Sequence, residues 1–193
     1  MKNEKTLVII KPDGIQRNLI AEVIMRYERL GFKMIASKML HATPKMIREH
    51  YSIDPLWGQK AGEKVIAAKK EKGENVEGLD PLKLSVDIVD RLALYMTNGP
   101  VLAMVWQGAH VVQIVRKITG STEPRSSDVG TIRGDFMIDS YDLSNLDKRA
   151  LRNIVHASSS VEEAEKEIPI WFQEEEVCEY STPHDTVLYD PTF

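Results

Sequence analysis

The side chains able to do chemistry in this 193-residue chain stand where apolar runs end. Lys11-Pro12-Asp13-Gly14 directly follows the apolar run Lys5 to Ile10. A lysine leaving a buried strand at a turn can meet a phosphate or a ribose hydroxyl as a point charge. Arg116 and Arg133 flank a flexible stretch that contains Thr122. Paired guanidiniums there can clamp phosphate oxygens with bidentate hydrogen bonds. Arg133 sits between Gly130 and Gly134, whose missing side chains let backbone approach a ligand closely. Each group taken alone also has an ordinary reading, a solvated lysine or arginines in structural ion pairs.

The segment Arg152-Asn153-Ile154-Val155-His156-Ala157-Ser158 adds a nucleophile. In strand geometry residues 154 and 156 share one face, which lets His156 point from a sheet edge into a cleft. Imidazole attacks near neutral pH without a deprotonation cost. A lone histidine is more often structural. The other four, His41, His50, His110 and His184, lie in polar or helical contexts and read as surface or core residues. Their spacing matches no metal-ligand pattern. The chain has no G-x-x-x-x-G-K-[ST] loop, so side chains must hold any phosphates.

The pattern of apolar residues predicts the scaffold that positions these groups. Lys5 to Ile10 reads as a buried strand, and Ile20 to Leu30 as a helix ended by Gly31. Phe32 to Leu40 alternates as a strand half-open to solvent. Helices are expected from Thr43-Pro44 to about Tyr51, from Gly58 to Lys72, and from Leu82 to Met96. Lys72 to Pro81 is a loop. Val101 to Trp106 is a third strand and Ala109 to Thr119 a helix. The stretch Gly120 to Gly130 is a long loop of the kind that usually carries function. A short helix is expected after Ser144, a fourth strand at Ile154 to His156, and a helix from Val161 to Glu167 stopped before Pro169. The last twenty or so residues read as irregular chain wrapping the body. The order predicts an α+β fold of the ferredoxin-like, split βαβ type. Its four-stranded antiparallel sheet carries helices on its faces, in a single domain spanning residues 1–193.

Composition sets the outer limits. With 42% hydrophobic and 28% charged residues the chain is an ordinary globular protein. A net charge of -4 and a pI near 5.8 argue against a general nucleic-acid binder. The single cysteine, Cys178, permits no intramolecular disulfide and reads as a half-buried structural thiol. No stretch is long and apolar enough for a membrane span or signal core, and the cytoplasm is the natural compartment.

In combination these motifs resemble the ordered signature of nucleoside diphosphate kinases. The resemblance is carried by Lys11 to Gly14, Gly120-Ser121-Thr122 with Pro124, Gly130 to Phe136 and Asn153 to Ser158. Ser160 to Glu162, Ala164 to Ile168 and Trp171-Phe172 extend it. It implies that His156 accepts phosphate on one ring nitrogen, while Glu167, with Ser158, holds the other. Lys11 and Asn153 would grip the ribose hydroxyl, Lys11 also nearing the transferred phosphate. Arg116, Thr122 and Arg133 would hold the β- and γ-phosphates, and Tyr51 would sit beside the histidine. Mg²⁺ would arrive with the nucleotide. A homo-oligomer, hexamer or tetramer, is implied, with the Gly120 to Gly130 loop at subunit contacts.

The chain departs from the family pattern in places. Two stretches are longer than usual, around 53–90 and 138–151, and the first blurs which aromatic stacks on the base. Trp57 is the candidate, the alternative being a helix-packing tryptophan. Ser159 replaces a frequent acidic residue. Glu123 stands beside Thr122 where an amide is usual, to weaken phosphate binding or pair with an arginine. Two other classes compete with the enzyme: a catalytically weak nucleotide-binding or assembly subunit that keeps the fold, and a histidine phosphocarrier, which needs only His156.

Overall fold

The computed structural model describes residues 3–52, 55–71 and 73–192. In chain order its elements are β1 (Glu4–Ile10), α1 (Pro12–Gln16), α2 (Ile20–Glu28), β2 (Lys33–Leu40), α3 (Pro44–Ser52), α4 (Pro55–Glu71) and α5 (Pro81–Met96). There follow β3 (Val101–Gly108), α6 (Val111–Thr119), α7 (Ile132–Phe136), α8 (Tyr141–Leu146), β4 (Val155–Ala157), α9 (Val161–Trp171) and α10 (Pro183–Tyr189). The strands form one antiparallel sheet in the order β2-β3-β1-β4. The fold is α+β and ferredoxin-like, as the alternation of elements predicts.

The central strand β1 is apolar on both faces because both are covered. Val8 and Ile10 join a cluster with Val23 and Tyr27 of α2 and Val112 and Val115 of α6. Leu7 and Ile9 join another with Ile47 of α3, Ala93 and Met96 of α5 and Trp171 of α9. A strand buried on both sides reads as a continuous hydrophobic run, which Leu7 to Ile10 is. The open edge strand β2 shows the predicted half-buried character, with Met39 54% exposed. Among the described residues no helix is long and apolar enough to cross a membrane.

The structure corrects several expectations. Lys11 to Gly14 is not a simple turn but leads into α1, with Pro12 at its first position. The expected helix after Ser144 begins earlier, at Tyr141, because Ser140 caps it by accepting the Leu143 N–H at 3.2 Å. Helix α9 does not stop before Pro169 but runs to Trp171. Losing one backbone hydrogen bond at the proline is outweighed by burying Trp171 and Phe172. The C-terminal stretch is not wholly irregular: Asp185 caps α10 by accepting the Thr182 N–H at 2.8 Å. Cys178 is exposed rather than half-buried. The expected helix end at Lys72 lies outside the described residues, as do Ile53 and Asp54 at the start of the first long stretch.

Helices α4 and α5 pack tightly where Gly62 meets the backbone of Pro81. A methyl group at position 62 would collide with the Pro81 carbonyl, which cannot swing aside as a side chain can. Gly62→Ala is therefore expected to force α4 away from α5 at about 1–3 kcal/mol, the usual cost of overpacking. Thermal melting measures it, and an unchanged melting temperature would show that the two helices part freely.

Candidate active site

His156 owes its place to the pairing of β4 with β1. It stands opposite Ile9 in the antiparallel register and so shares the sheet face of Leu7 and Ile9, the face covered by α3 and α9. The strand begins one residue later than the sequence pattern suggests. Ile154 takes φ 52, a left-handed conformation that β-branched residues avoid. The reversal sends the Ile154 side chain into the cluster on the opposite face, so residues 154 and 156 do not share a face after all. It also lets the Ile154 carbonyl accept the Lys11 N–H at 2.8 Å, tying the two active segments together.

One ring nitrogen of His156 is committed. Its Nε2 lies 3.0 Å from Oε1 and 3.2 Å from Oε2 of Glu167. Glu167 is 2% exposed, and Ser158 Oγ donates to its Oε2 at 2.6 Å. Ser158 in turn accepts the Leu7 N–H at 3.2 Å. A carboxylate on Nε2 favours the hydrogen there and leaves Nδ1 with its lone pair. Burial, then the charge of Lys11, pushes the His156 pKa down to about 3, so the ring is neutral near pH 7. Burial raises the Glu167 pKa, and the His50 ring and the Ser158 hydroxyl oppose that rise.

The cationic groups gather on the same side. Lys11 is 4% exposed and donates from Nζ to Asn153 Oδ1 at 2.7 Å. Burial, then Arg133, lowers its pKa to about 7. Asn153 also donates from Nδ2 to the Thr122 carbonyl at 2.9 Å, which fixes the loop carrying the exposed Thr122 side chain. Arg133 does more structural work than a phosphate clamp would need. It donates to the carbonyls of Asn153 (3.3 Å), Gly120 (3.1 Å), Ser121 (3.0 Å) and Val155 (2.6 Å). Of its five N–H groups only one remains for a ligand. Burial, then Arg116, lowers its pKa to about 10. Arg116 is half-buried and donates to the Ala157 carbonyl at 3.2 Å, leaving most of its fork free.

An aromatic wall leads outward from the histidine. The Tyr51 ring lies 6.3 Å from that of His156, and the Trp57 ring 5.4 Å from that of Tyr51. Burial raises the Tyr51 pKa and keeps its hydroxyl protonated. The structure thus gathers His156, Glu167, Ser158, Lys11, Asn153, Arg133, Arg116, Tyr51 and Trp57 around one cleft, with Thr122 at its rim. Two surface cavities of about 340 and 510 Å³ lie elsewhere, the first behind Asp13 and Tyr95, the second against Lys5 and Val161. Convergent polar groups, not volume, mark the cleft.

Sequence reasoning missed two contributors. His50, read as an ordinary surface or core residue, is buried with its ring 4.5 Å from that of His156. The signal was its place three residues after Ile47, on the buried face of α3. Tyr95 donates to Asp13 Oδ1 at 2.6 Å, and its ring lies under the Lys11 ammonium at 5.3 Å. Glu123 takes the second course foreseen for it. It lies 3.6 Å from the Arg125 guanidinium and accepts the Tyr141 N–H at 2.9 Å. At the departing position 159, Glu163 accepts the Ser159 N–H in place of an acidic side chain there.

Comparison with known proteins gives this geometry a setting. Residues 4–55 and 61–177 match the family model described as nucleoside diphosphate kinase. A nucleoside diphosphate kinase of Pyrobaculum aerophilum is 45% identical over 183 residues, covering 93% of this chain and all of the relative. Nucleoside diphosphate kinase A of Canis lupus familiaris is 37% identical over 193 residues, covering 97% of this chain and 98% of its own. A crystal structure of the Pyrobaculum aerophilum NDP kinase superposes with a TM-score of 0.87, covering 92% of this chain and 100% of that one. A transition-state mimic of the Borrelia burgdorferi enzyme, with bound vanadate and ADP, gives 0.80 at 34% identity, covering 97% of each chain.

Proposed function

Because the chain belongs to the nucleoside diphosphate kinase family, we propose that it transfers the terminal phosphate of a nucleoside triphosphate to a nucleoside diphosphate through phospho-His156. The observation that carries this is the pairing of His156 Nε2 with Glu167, at 3.0 Å to the nearer oxygen, which leaves Nδ1 as a neutral nucleophile. The charges acting on that ring include Lys11, Arg133 and Arg116. In the first half-reaction the Nδ1 lone pair attacks the γ-phosphorus. The bond from phosphorus to the bridging oxygen breaks, and the diphosphate leaves with that oxygen. In the second, a terminal oxygen of another diphosphate attacks the phosphorus, the N–P bond breaks and the neutral ring returns. The Nε2 hydrogen stays against Glu167 throughout. Such transfers pass through a loose transition state, so the protein contributes positioning and compensation of charge.

In this reading Lys11 and Asn153 hold the ribose hydroxyl, and Lys11 also nears the transferred phosphate. Arg116, Thr122 and the remaining N–H of Arg133 hold the phosphates. Tyr51 lines the histidine and Trp57 stacks on the base. The cleft offers its ligand chiefly cations and hydroxyls, which suit phosphate, while the Glu167 carboxylate is engaged by His156 and Ser158 and Asn153 Oδ1 by Lys11. Mg²⁺ would arrive with the nucleotide and offset the charge of its phosphates. The residues around 53–90 and 138–151 elaborate a single domain. We further propose a cytoplasmic homo-oligomer, hexamer or tetramer, with the Gly120 to Gly130 loop at its contacts. Val129 in that loop, 93% exposed, favours it as an apolar group that a partner would cover.

The test is to incubate the protein with γ-labelled ATP and Mg²⁺. The expected product is an acid-labile, alkali-stable phosphoenzyme that discharges onto added nucleoside diphosphates. Label that diphosphates cannot chase would point to a phosphocarrier, and no label at all to a binding subunit.

A further inference from the structure

Glu167 has a second imidazole against it. Helix α9 carries Glu167 and Trp171 one turn apart on the same side, and both meet the buried His50 of α3. The Trp171 indole N–H donates to His50 Nδ1 at 3.3 Å. Indole nitrogen is a donor only, so Nδ1 must present its lone pair, and the neutral ring carries its hydrogen on Nε2. That Nε2 lies 3.4 Å from Glu167 Oε1, the oxygen that also faces His156. The geometry falls short of a full hydrogen bond, and the atom has no other partner among the described residues. At that separation the N–H dipole still favours the ionised carboxylate.

We propose that His50 is a positioning residue for phosphorylation of His156, its Trp171-fixed Nε2–H completing the donor set that keeps Glu167 an anionic acceptor. The inference rests on the reading of His156 as the phosphate acceptor. When Nδ1 attacks phosphorus the His156 ring becomes cationic in character and its Nε2–H leans on the carboxylate. A dry pocket favours the neutral acid, and two donors oppose that, Ser158 Oγ and His50 Nε2. Without the His50 donor, Glu167 takes up one proton from solvent, keeps it as a neutral acid and donates a hydrogen bond to His156 Nε2, whose own hydrogen passes to solvent while Nδ1 takes one up. The ring then carries its own hydrogen on Nδ1, the position that must attack. The tautomer is wrong for the reaction.

The same arrangement keeps metal away. The ligating atoms of His50, His156 and Glu167 lie within 4.8 Å of one another, a spacing a zinc ion can draw together. Ligation through His50 Nε2 would move its hydrogen to Nδ1, against the Trp171 N–H. Donor would face donor. Trp171 thus fixes the useful tautomer and excludes the harmful ligand.

Nitrogen-15 NMR of the nucleotide-free protein should show His50 protonated at Nε2 and bare at Nδ1. In His50→Phe the single-turnover rate of phosphoenzyme formation should fall at least about tenfold with little change in ATP affinity, and His156 should gain the Nδ1–H signature. His50→Gln should recover the rate to within about threefold of the unaltered protein, since its amide accepts from Trp171 and donates to Glu167. Trp171→Phe should become sensitive to zinc at concentrations harmless to the unaltered protein. Equal phosphorylation rates in the Phe and Gln variants, or an Nδ1–H tautomer at His50, would overturn the proposal. If His50→Phe does not fold, the NMR result and the Gln and Trp171 variants decide. Failure of the unaltered protein to label at all would sink the phosphate-relay reading instead, a separate outcome from any of these.

Discussion

His156→Ala is expected to lose phosphoenzyme formation entirely and to cut steady-state transfer by about 10⁵-fold or more, the scale seen when a covalent nucleophile is removed. No neighbour can substitute. The Nδ1 lone pair of His50 is occupied by the Trp171 N–H, and Lys11 is tied to Asn153. Direct transfer between two nucleotides would need both in a cleft shaped for one. A coupled assay with ATP and a second diphosphate measures the loss, with circular dichroism to verify the fold. Residual activity within about a hundredfold of the unaltered protein would mean that the phosphate travels by another route. The depressed pKa adds a pH signature. With His156 held down to about 3, lowering the pH through 6.5 does not protonate the nucleophile, so the phosphorylation rate should not fall there as an exposed histidine's would. Stability behaves oppositely. Below pH 6.5 the unfolded chain takes up protons at both His50 and His156 that the folded chain refuses. The fold should therefore weaken steadily as the pH drops from 6.5 toward 3.

Lys11→Met is expected to lower kcat/KM by about 10²- to 10³-fold, comparable to deleting one preorganised donor at a site of developing charge. The ammonium is buried, held 2.7 Å from Asn153 Oδ1, and its pKa near 7 leaves it only partly protonated in the free protein at neutral pH. A polyphosphate entering the cleft favours the charged form, so binding should take up a proton near pH 7. As the pH rises from 6 to 9 the protonated fraction falls, and KM for the triphosphate should climb; Lys11→Met should flatten that climb. Isothermal calorimetry in buffers of different ionisation enthalpy reads the proton uptake. Lys11→Arg should not restore activity, because the larger fork must enter a buried space beside Arg133. A variant lacking the amine yet keeping the KM profile would remove Lys11 from the substrate contacts.

The sequence told most where local pattern and tertiary demand agree. The run Leu7 to Ile10 is apolar because both of its faces are buried, and Gly31 at φ 79 follows α2 as its composition suggests. Prediction failed where long-range packing outvoted a local rule. Pro169 should end a helix, but the burial of Trp171 carries α9 past it. Ile154 should alternate with His156, but its left-handed backbone turns it to the other face. No propensity of isoleucine announces that. His50 escaped notice for a related reason. Its meaning lies in contacts to Glu167 and Trp171, more than a hundred residues away along the chain, and only the packing of α3 on α9 reveals them.

The four carbonyls gathered by Arg133 carry a consequence for how such a site can diverge. One guanidinium fastens the loop at Gly120 and Ser121 to the nucleophile's strand and, in the function proposed above, offers its remaining N–H to the phosphates. Altering its reach toward a ligand unfastens the architecture, so that wall offers mutation no gradual path. In that reading drift in nucleotide preference falls to Tyr51 and Trp57, which rise from α3 and α4 and meet through their rings. One half of the cleft is frozen by its own mortar, and the other is free to wander.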